Sequence, residues 1–123
     1  MKDLKAEFWD RMEDVRTGML GLKGKGRLVA MSPRVDDDIP GKIWFITAQG
    51  TDLAQGVAAG PCEAQLVIAD NDQGLYADID GTLALSADRE ALDEVWSFVA
   101  DSWFEGGKAD PDVRLLCFTP REA

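Results

Sequence analysis

The sequence contains no histidine, so any chemistry must come from other side chains. Without an imidazole, neither a Ser-His-Asp nor a Cys-His nucleophile system can be built, and a histidine general base is also absent. Zinc sites that use histidine are excluded, and the two cysteines, Cys62 and Cys117, cannot form a closed thiolate site by themselves. Catalysis would therefore depend on carboxylates, lysine, tyrosine or a bound cofactor.

Acidic residues are the first candidates for acid–base or metal chemistry. Asp78 and Asp80 share one face of a predicted strand, where paired carboxylates can exchange protons, although a solvated strand face has the same pattern. The segment 70–74 (DNDQG) resembles a calcium loop, but its glycine is fifth instead of sixth and Gly81 stands where the twelfth-position glutamate is required. We interpret 70–74 as a turn and the aspartates at 36–38 as a second, solvated turn.

Glycines near the first strands raise the question of phosphate binding. Gly21, Gly24 and Gly26 resemble a phosphate-binding loop. The dinucleotide pattern, however, needs a helix after the glycines, and here a predicted strand follows. A hairpin turn is therefore the better interpretation.

Composition limits the class of protein and its partners. The 123 residues predict one domain, 1–123, with one core. The formal charge of -10 argues against nucleic-acid and anionic-membrane partners. No run approaches the roughly 18 apolar residues of a membrane span, and the start of the chain lacks a basic, apolar leader. Both cysteines lie in apolar segments and are predicted to be reduced core residues, which favours a cytoplasmic location.

The elements that must position the chemical groups are mostly extended. Tight turns between consecutive strands favour an antiparallel barrel over a parallel sheet with crossover helices. Gly81, in the middle of the longest strand, predicts a bulge or bend. Apolar periodicity predicts helices over 3–15, 51–59 and 89–104 and strands over 28–35, 42–47, 62–69, 75–85 and 113–118, with a short apolar run from Met19 to Leu22 and a stop at Pro120.

The strand 42–47 (KIWFIT) is apolar on both faces. Ile43 and Phe45 point one way, and Trp44 and Ile46 point the other. A strand of this kind is covered on both sides. We expect a second subunit or a bound ligand to cover the outer face of this strand, and we expect the same for Phe98 on the predicted third helix. An additional helix that packs on the sheet is the alternative.

Trp96 and Trp103 are seven residues apart, so a helix over 89–104 would place both on one face as core residues or as the wall of a cleft. The second tryptophan opens the segment Trp103–Asp112 (WFEGGKADPD), followed by VRLLCFTP. Together they resemble the C-terminal signature of the bacterial general stress proteins of the pyridoxamine phosphate oxidase-like superfamily. The rest of the resemblance lies in Trp96 and in the segments Phe8–Leu20 (FWDRMEDVRTGML), Lys42–Thr47 and Tyr76–Gly81.

This resemblance implies a mostly β fold: an antiparallel, six-stranded split β-barrel with peripheral helices, which dimerises and holds FMN in the cleft between subunits. It implies a small flavin-binding protein, with an FMN-dependent oxidoreductase as one form, in which the flavin carries the redox chemistry. A barrel that has lost flavin and acts as a dimeric binding or structural module in a stress response is the alternative. No catalytic residue is named by either hypothesis, and no metal is expected.

The resemblance also implies which residues would bind the cofactor. In the family, the strand matching Trp44–Thr47 lines the isoalloxazine ring, and its threonine approaches the phosphate. Thr51, which its local sequence marks as the candidate N-cap of the next helix, retains a hydroxyl there, and Trp103 is a candidate ring contact. The full set implied by the resemblance is Met31, Ser32, Pro33, Trp44, Phe45, Ile46, Thr47, Thr51 and Trp103.

Two phosphate contacts of the family pattern are missing. The Arg-Pro-Met-like element falls on Met31, Ser32 and Pro33 without its arginine, and the lysine of the Ser-x-Lys element is replaced by Leu53, with Asp52 beside it. Two charge-assisted hydrogen bonds contribute about 1.5–3 kcal/mol each, so their loss predicts weaker FMN binding. The nearby cations that could replace them, from the same or the partner subunit, are Arg27, Arg34 and Lys42.

Overall fold

The computed structural model describes residues 4–24, 27–35, 41–96, 106–107 and 112–122. These ranges contain six strands and three helices. In chain order the elements are α1 (Leu4–Met12), β1 (Gly18–Leu22), β2 (Val29–Met31), β3 (Ile43–Ala48), α2 (Asp52–Gly56), β4 (Cys62–Asp70), β5 (Leu75–Ser86), α3 (Arg89–Val95) and β6 (Val113–Glu122).

All six strands belong to one antiparallel sheet in the order β2-β1-β4-β5-β6-β3. The two edge strands meet where Arg34 and Trp44 exchange backbone hydrogen bonds of 2.8 and 2.7 Å. This contact bends the sheet into a nearly closed barrel. The predicted antiparallel split barrel is confirmed, and the β1–β2 pairing confirms the hairpin at the glycine-rich segment.

Side chains fill the interior of the barrel. Strand residues alternate between inside and outside, so every second residue of β3 and β6 points inward. Phe45 and Leu116 are cross-strand partners with no exposed surface, and Phe118 is equally buried opposite Ile43. A close-packed interior leaves a ligand only the rim or the outer surface of the barrel. The other members of this main core are Met12, Val15, Leu20, Leu22, Leu53, Val57, Ala64, Leu66, Ile68, Leu75, Ile79 and Leu83.

Helix α3 covers the outer face of β3. The indole of Trp44 packs there with Leu92 and Val95 of α3 and with Leu115 of β6, and Ile46 packs against the same cluster. The additional helix, considered above as the alternative, is therefore what covers this face, and Trp44 needs no second subunit to bury it. The homodimer remains a prediction on other grounds.

Helices α1 and α2 end earlier than predicted. Helix α1 ends at Met12, but two backbone bonds of the i→i+3 type follow it, so Val15 is still buried as its spacing required. The hydroxyl of Thr51 caps α2, as predicted, and the carboxylate of Asp88 caps α3. Within the described ranges, no helix combines the length and the apolar character needed to cross a membrane.

The predicted helix over 89–104 is interrupted at Trp96, and the remainder of that prediction, 97–104, lies outside the described residues. Trp96 has an extended backbone (φ -62°, ψ 133°) and still packs against the cluster under α3. The expectation that Trp96 and Trp103 share one helical face therefore fails at the first tryptophan. Trp103 and Phe98 lie outside the described residues.

Prolines set the bounds of two strands differently from the prediction. Strand β2 ends at Met31 instead of continuing to Val35, because Pro33 has no N–H and disfavours regular pairing around it. Strand β6, in contrast, continues through Pro120 to Glu122. Proline is tolerated in a strand at a bulge, and the β5–β6 register shifts at this point.

Gly81 lies at that shift, which confirms the predicted irregularity. The pairing moves from Asp80–Glu122 to Gly81–Pro120 and skips one residue of β6. A Cβ atom on Gly81 would lie 2.4 Å from the carbonyl oxygen of Thr119 and 2.7 Å from the ring of Phe118. The glycine therefore allows β6 to approach β5 where the barrel bends.

Both cysteines are half-buried free thiols, in agreement with their predicted structural role. The Cys62 thiol donates to the carbonyl oxygen of Gly56 at 3.3 Å. Burial raises the pKa of the Cys117 thiol, against the opposing effects of the Lys42 ammonium and a hydrogen bond with Thr119. Since the thiolate is the reactive form, Cys117 is a poor nucleophile at neutral pH.

Candidate functional site

Two threonine hydroxyls meet where β3 ends and α2 begins. The Oγ1 atoms of Thr47 and Thr51 are 3.1 Å apart. Thr51 Oγ1 also donates to the carbonyl oxygen of Ala48 at 2.9 Å and accepts from the backbone N–H of Ala54 at 3.3 Å. Because a hydroxyl hydrogen rotates to suit its partners, either threonine can turn its donor towards an incoming anion. We call this pair, Thr47 and Thr51, the hydroxyl pair.

Local sequence explains why the two hydroxyls meet. Strand β3 ends at Ala48, and the turn that follows is closed by a 3.2 Å bond from the Thr51 N–H to the Ala48 carbonyl. Thr51 has an extended backbone (φ -75°, ψ 155°), which is typical of a residue that caps a helix. A strand, a tight turn and a threonine cap therefore place the two side chains four residues apart on the same side.

Arg114 lies directly across the sheet from Thr47. The two residues are register partners in β3 and β6, so their Cα atoms are about 5 Å apart. The guanidinium donates to Gln49 Oε1 and to the carbonyl oxygen of Val113, both at 2.9 Å. Arg114 could not be identified as a site residue from the sequence, because the pairing register of two strands that are far apart in the chain is not visible there.

The cations named from the sequence lie elsewhere in this subunit. Lys42 donates to Thr119 Oγ1 at 2.9 Å, just before β3 begins, and is thus about 16 Å along the strand from Thr47. Arg34 pairs through its backbone with Trp44, and its side chain lines a polar groove. Arg27 is exposed in the connection before β2.

The position of the missing lysine is part of the core. Leu53 is only 6% exposed and packs in the main core, as does Val57 one turn later. Asp52, in contrast, is exposed next to Thr51. This segment of α2 therefore serves packing at a position where the family pattern has a cation.

Most of the expected ring-lining side chains are used in packing. Phe45 is completely buried inside the barrel, and Trp44 is 4% exposed under α3, where its Nε1 atom has no hydrogen-bond partner among the described residues. Ile46 is half-buried on the outer face. Their side chains are thus not on an open surface, and Trp103 lies outside the described residues.

The backbone of β3 offers a different kind of contact. Its far edge bonds to Arg34 at Trp44, and in the described part of the chain no strand pairs with that edge from Phe45 to Ala48. This opening is the split of the barrel. Met31 packs against the main core, while Ser32 is exposed and Pro33 is buried just before the bridge to β3.

Two surface grooves flank these elements. One has a volume of about 420 Å³, is largely apolar and includes the Arg114 side chain; its other lining residues are Leu85, Ser86, Ala87, Asp88, Leu92, Val113 and Leu115. The second has a volume of about 680 Å³ and is polar; its charged lining residues are Glu13, Asp14, Arg16, Arg34, Asp70 and Asp72. Of these two grooves, only the apolar one lies beside β6, the strand that carries Arg114, the register partner of Thr47.

The acidic residues singled out from the sequence have structural partners. Asp78 accepts from Gln65 Nε2 at 2.6 Å, and Asp80 forms an ion pair with Lys23 at 2.7 Å. Asp70 accepts from the Gln73 N–H and closes the predicted turn. Across the described ranges, no three acidic or thiol groups are arranged to hold a metal ion. The aspartates at 36–38 lie outside the described residues.

Comparisons with known proteins agree with this architecture. A family model described as pyridoxamine 5'-phosphate oxidase like matches residues 3–123. The structure of a protein assigned as general stress protein 26 from Jannaschia sp. is 72% identical, with a TM-score of 0.94 over 96% of this chain and 74% of that chain. The general stress FMN/FAD binding protein from Xanthomonas citri is 30% identical, with a TM-score of 0.86 over 99% and 87%. General stress protein 26 from Bacillus anthracis, at 17% identity, shares the fold, with a TM-score of 0.78 over 95% and 88%.

No functionally curated protein matches the chain. The family model nevertheless spans nearly all of it, and two structures at 30% identity or more superpose over almost its full length. The chain belongs to the pyridoxamine 5'-phosphate oxidase-like family, and its structural neighbours include the general stress proteins of that family.

Proposed function

We propose that this chain is a small FMN-binding protein and that the phosphate of the flavin binds at the hydroxyl pair. The observation that carries the proposal is the 3.1 Å approach of the Thr47 and Thr51 hydroxyls at the end of β3. These are the two positions where the resemblance to the family places phosphate contacts. A relative that is 30% identical is described as an FMN/FAD binding protein, which supports a flavin as the ligand.

Each element of the site has a separate task in this proposal. The hydroxyl pair donates hydrogen bonds to phosphate oxygens. The edge of β3 next to Ile46, with which no strand of the described ranges pairs, offers backbone groups of the kind that can bond to the polar rim of an isoalloxazine ring. When bound, the flavin supplies the redox chemistry, as in an FMN-dependent oxidoreductase, and the protein supplies orientation and electrostatics.

The negative charge of the protein predicts a modest affinity for FMN. The formal charge of -10 and the exposed Asp52 beside Thr51 both repel a phosphate dianion. The buried Leu53 removes one charge-assisted bond of about 1.5–3 kcal/mol relative to the family pattern. We therefore expect a dissociation constant for FMN near the micromolar range.

Flavin spectroscopy tests the proposal directly. Protein purified from cells should be yellow or should become so after incubation with FMN, and titration into FMN should quench the flavin fluorescence with saturation at micromolar protein. The same titration with denatured protein is the control. A colourless preparation that also leaves the fluorescence of micromolar FMN unchanged would contradict the proposal.

We also propose that the protein is a homodimer. Met19 and Tyr76 are 38% and 64% exposed, and both lie on the outer face of the β1-β4-β5 part of the sheet; Leu28, which is 38% exposed, directly precedes β2. Exposed apolar side chains on one face are typical of an interface between subunits. Sedimentation or sizing should give about twice 13.4 kDa, and Tyr76→Glu should shift the protein towards the monomer. A wild type that sediments as a monomer at high micromolar concentration would exclude the dimer.

A flavin-free barrel that acts as a binding or structural module in a stress response is the second candidate. The specific observation in its favour is Leu53, which is buried in the core at the position of a phosphate-binding lysine. Failure of the flavin titration together with a stable dimer would favour this candidate.

We propose the cytoplasm as the location of the protein. The support is the pair of free cysteines, since exposure to an oxidising compartment favours disulfides. Fractionation of cells that express the full-length chain tests this assignment, and recovery in a secreted or periplasmic fraction would contradict it.

A further inference from the structure

We propose that Arg114 provides the cationic phosphate contact that the chain lacks at Leu53, and that it thereby makes the protein prefer FMN over riboflavin. The inference rests on the flavin site proposed above. It assigns a role to a residue that the family pattern does not mark, and it concerns selectivity between two flavins that differ only by the phosphate group.

The register of β3 and β6 places Arg114 opposite Thr47. Thr47 pairs with Arg114, and the next pair on the same face, Phe45 with Leu116, is buried inside the barrel. Since residues two apart on a strand share a face, the Thr47 hydroxyl and the Arg114 side chain both lie on the inner face at the end of the barrel. The Cα atoms of Thr47 and Arg114 are therefore about 5 Å apart, and the side chain of Arg114 leaves the backbone on the same face as the Thr47 hydroxyl.

The guanidinium of Arg114 is held in place by hydrogen bonds. Gln49 Oε1 accepts from Arg114 Nη2 at 2.9 Å, and Gln49 Nε2 donates to Asp112 Oδ1 at 2.6 Å. A backbone bond of 2.9 Å from the Gln49 N–H to the Asp112 carbonyl ties the same two segments together. The amide oxygen of Gln49 thus helps to fix the position of the guanidinium. A guanidinium has five donors in a planar fork that matches phosphate.

A largely apolar groove lies beside Arg114. The side chain lines the 420 Å³ groove together with Leu85, Leu92 and Leu115. Its volume lies within the range of about 300–1,000 Å³ that is usual for ligand sites. The groove therefore leaves the Arg114 side chain, which lies across the sheet from Thr47, in contact with a surface that a ligand can enter.

Equilibrium titration of FMN and of riboflavin, followed by flavin fluorescence, tests the inference. In wild type, FMN should bind at least tenfold more tightly than riboflavin. Arg114→Gln should weaken FMN about tenfold to a hundredfold and change riboflavin less than twofold. Arg121→Gln is the matched control, because it removes the same charge from β6 about 23 Å away, where Arg121 pairs with Glu63.

The outcomes separate this inference from the proposed function. If wild type binds neither flavin, the flavin site itself is wrong, and the inference falls with it. If wild type binds FMN but Arg114→Gln behaves as Arg121→Gln does, Arg114 has no role in binding while the proposed function stands. An equal loss of FMN and riboflavin in Arg114→Gln would likewise overturn the inference, since it would show an effect on the ring or the fold.

A measurement on wild type covers the case in which Arg114→Gln does not fold. Phenylglyoxal modifies accessible arginines, and peptide mass spectrometry reports the modification at each one. FMN should protect Arg114 and leave Arg121 reactive, whereas riboflavin at the same occupancy should protect Arg114 less. Equal protection by both flavins, or none by FMN at saturation, would overturn the assignment.

Discussion

We expect Gly81→Ala to lower the free energy of unfolding by about 3 kcal/mol, at the upper end of what overpacking usually costs. The added methyl group would lie 2.4 Å from the Thr119 carbonyl oxygen and 2.7 Å from the Phe118 ring. Phe118 has no exposed surface and cannot move aside, and the carbonyl belongs to the backbone of β6. Strand β6 must therefore shift away from β5. For a chain of this size the midpoint of thermal unfolding should fall by roughly 10 °C.

Gly50→Ala is the matched control for this prediction. No atom lies within 4 Å of a Cβ built on Gly50, and its backbone is not in the left-handed region. The substitution should leave stability unchanged or raise it by up to about 1 kcal/mol, because alanine restricts the unfolded chain. If both variants unfold at the same urea concentration as wild type, the close approach of β6 to β5 at Gly81 is not as described.

The second large effect concerns the hydroxyl pair. We expect Thr47→Val to weaken FMN binding about tenfold to a hundredfold, since a hydrogen bond to a charged group contributes about 1.5–3 kcal/mol. Valine has nearly the shape of threonine, and Thr47 is only 8% exposed, so the barrel should remain folded. Fluorescence titration of FMN, with a thermal melt of the same sample, measures both effects.

Two controls isolate the hydroxyl in that experiment. Thr47→Ser keeps the donor and should retain FMN binding within a few fold. Riboflavin, which lacks the phosphate, should bind Thr47→Val as it binds wild type. A Thr47→Val protein that binds FMN normally would show that the phosphate lies elsewhere. Thr51→Val is less informative, because it also removes the cap of α2 and about 1 kcal/mol of stability.

The strands that form the barrel were largely predictable from local pattern. The alternation in β4 and β5 and the apolar run of β3 gave their bounds within one residue. Gly81 was recognisable because glycine inside a strand has few other uses. The continuation of β6 through Pro120 was not predictable, since proline is tolerated there because β6 itself has an extra residue opposite β5 at this point.

The end of helix α3, at Val95, was not predicted by its apolar spacing. Its apolar spacing continues beyond Val95, so periodicity alone extends the helix to residue 104. In the structure, Trp96 leaves the helix and still packs against the cluster around Trp44. Burial of a large side chain can be satisfied from an extended backbone as well as from a helix, and local pattern does not distinguish the two.

The candidate site was predictable only in part. Thr51 was recognised as a helix cap from its local sequence, and the resemblance to the family drew attention to Thr47 and Thr51 together. Arg27, Arg34 and Lys42 were the predicted replacement cations because they are near the site in sequence. Strand direction places Lys42 at the far end of β3, whereas cross-strand register brings Arg114 opposite Thr47. Contacts between segments that are distant in the chain depend on the strand order and register, and the local sequence pattern does not reveal either.

A crystal structure of the protein grown with FMN tests the central claim most directly. The account predicts phosphate oxygens within about 3.2 Å of the hydroxyl pair, with the flavin held outside the packed interior of the barrel. Arg114 should donate to the same phosphate. An FMN phosphate bound instead in the polar groove beside Arg16 and Arg34, or no bound FMN at a concentration well above the measured dissociation constant, would contradict the account.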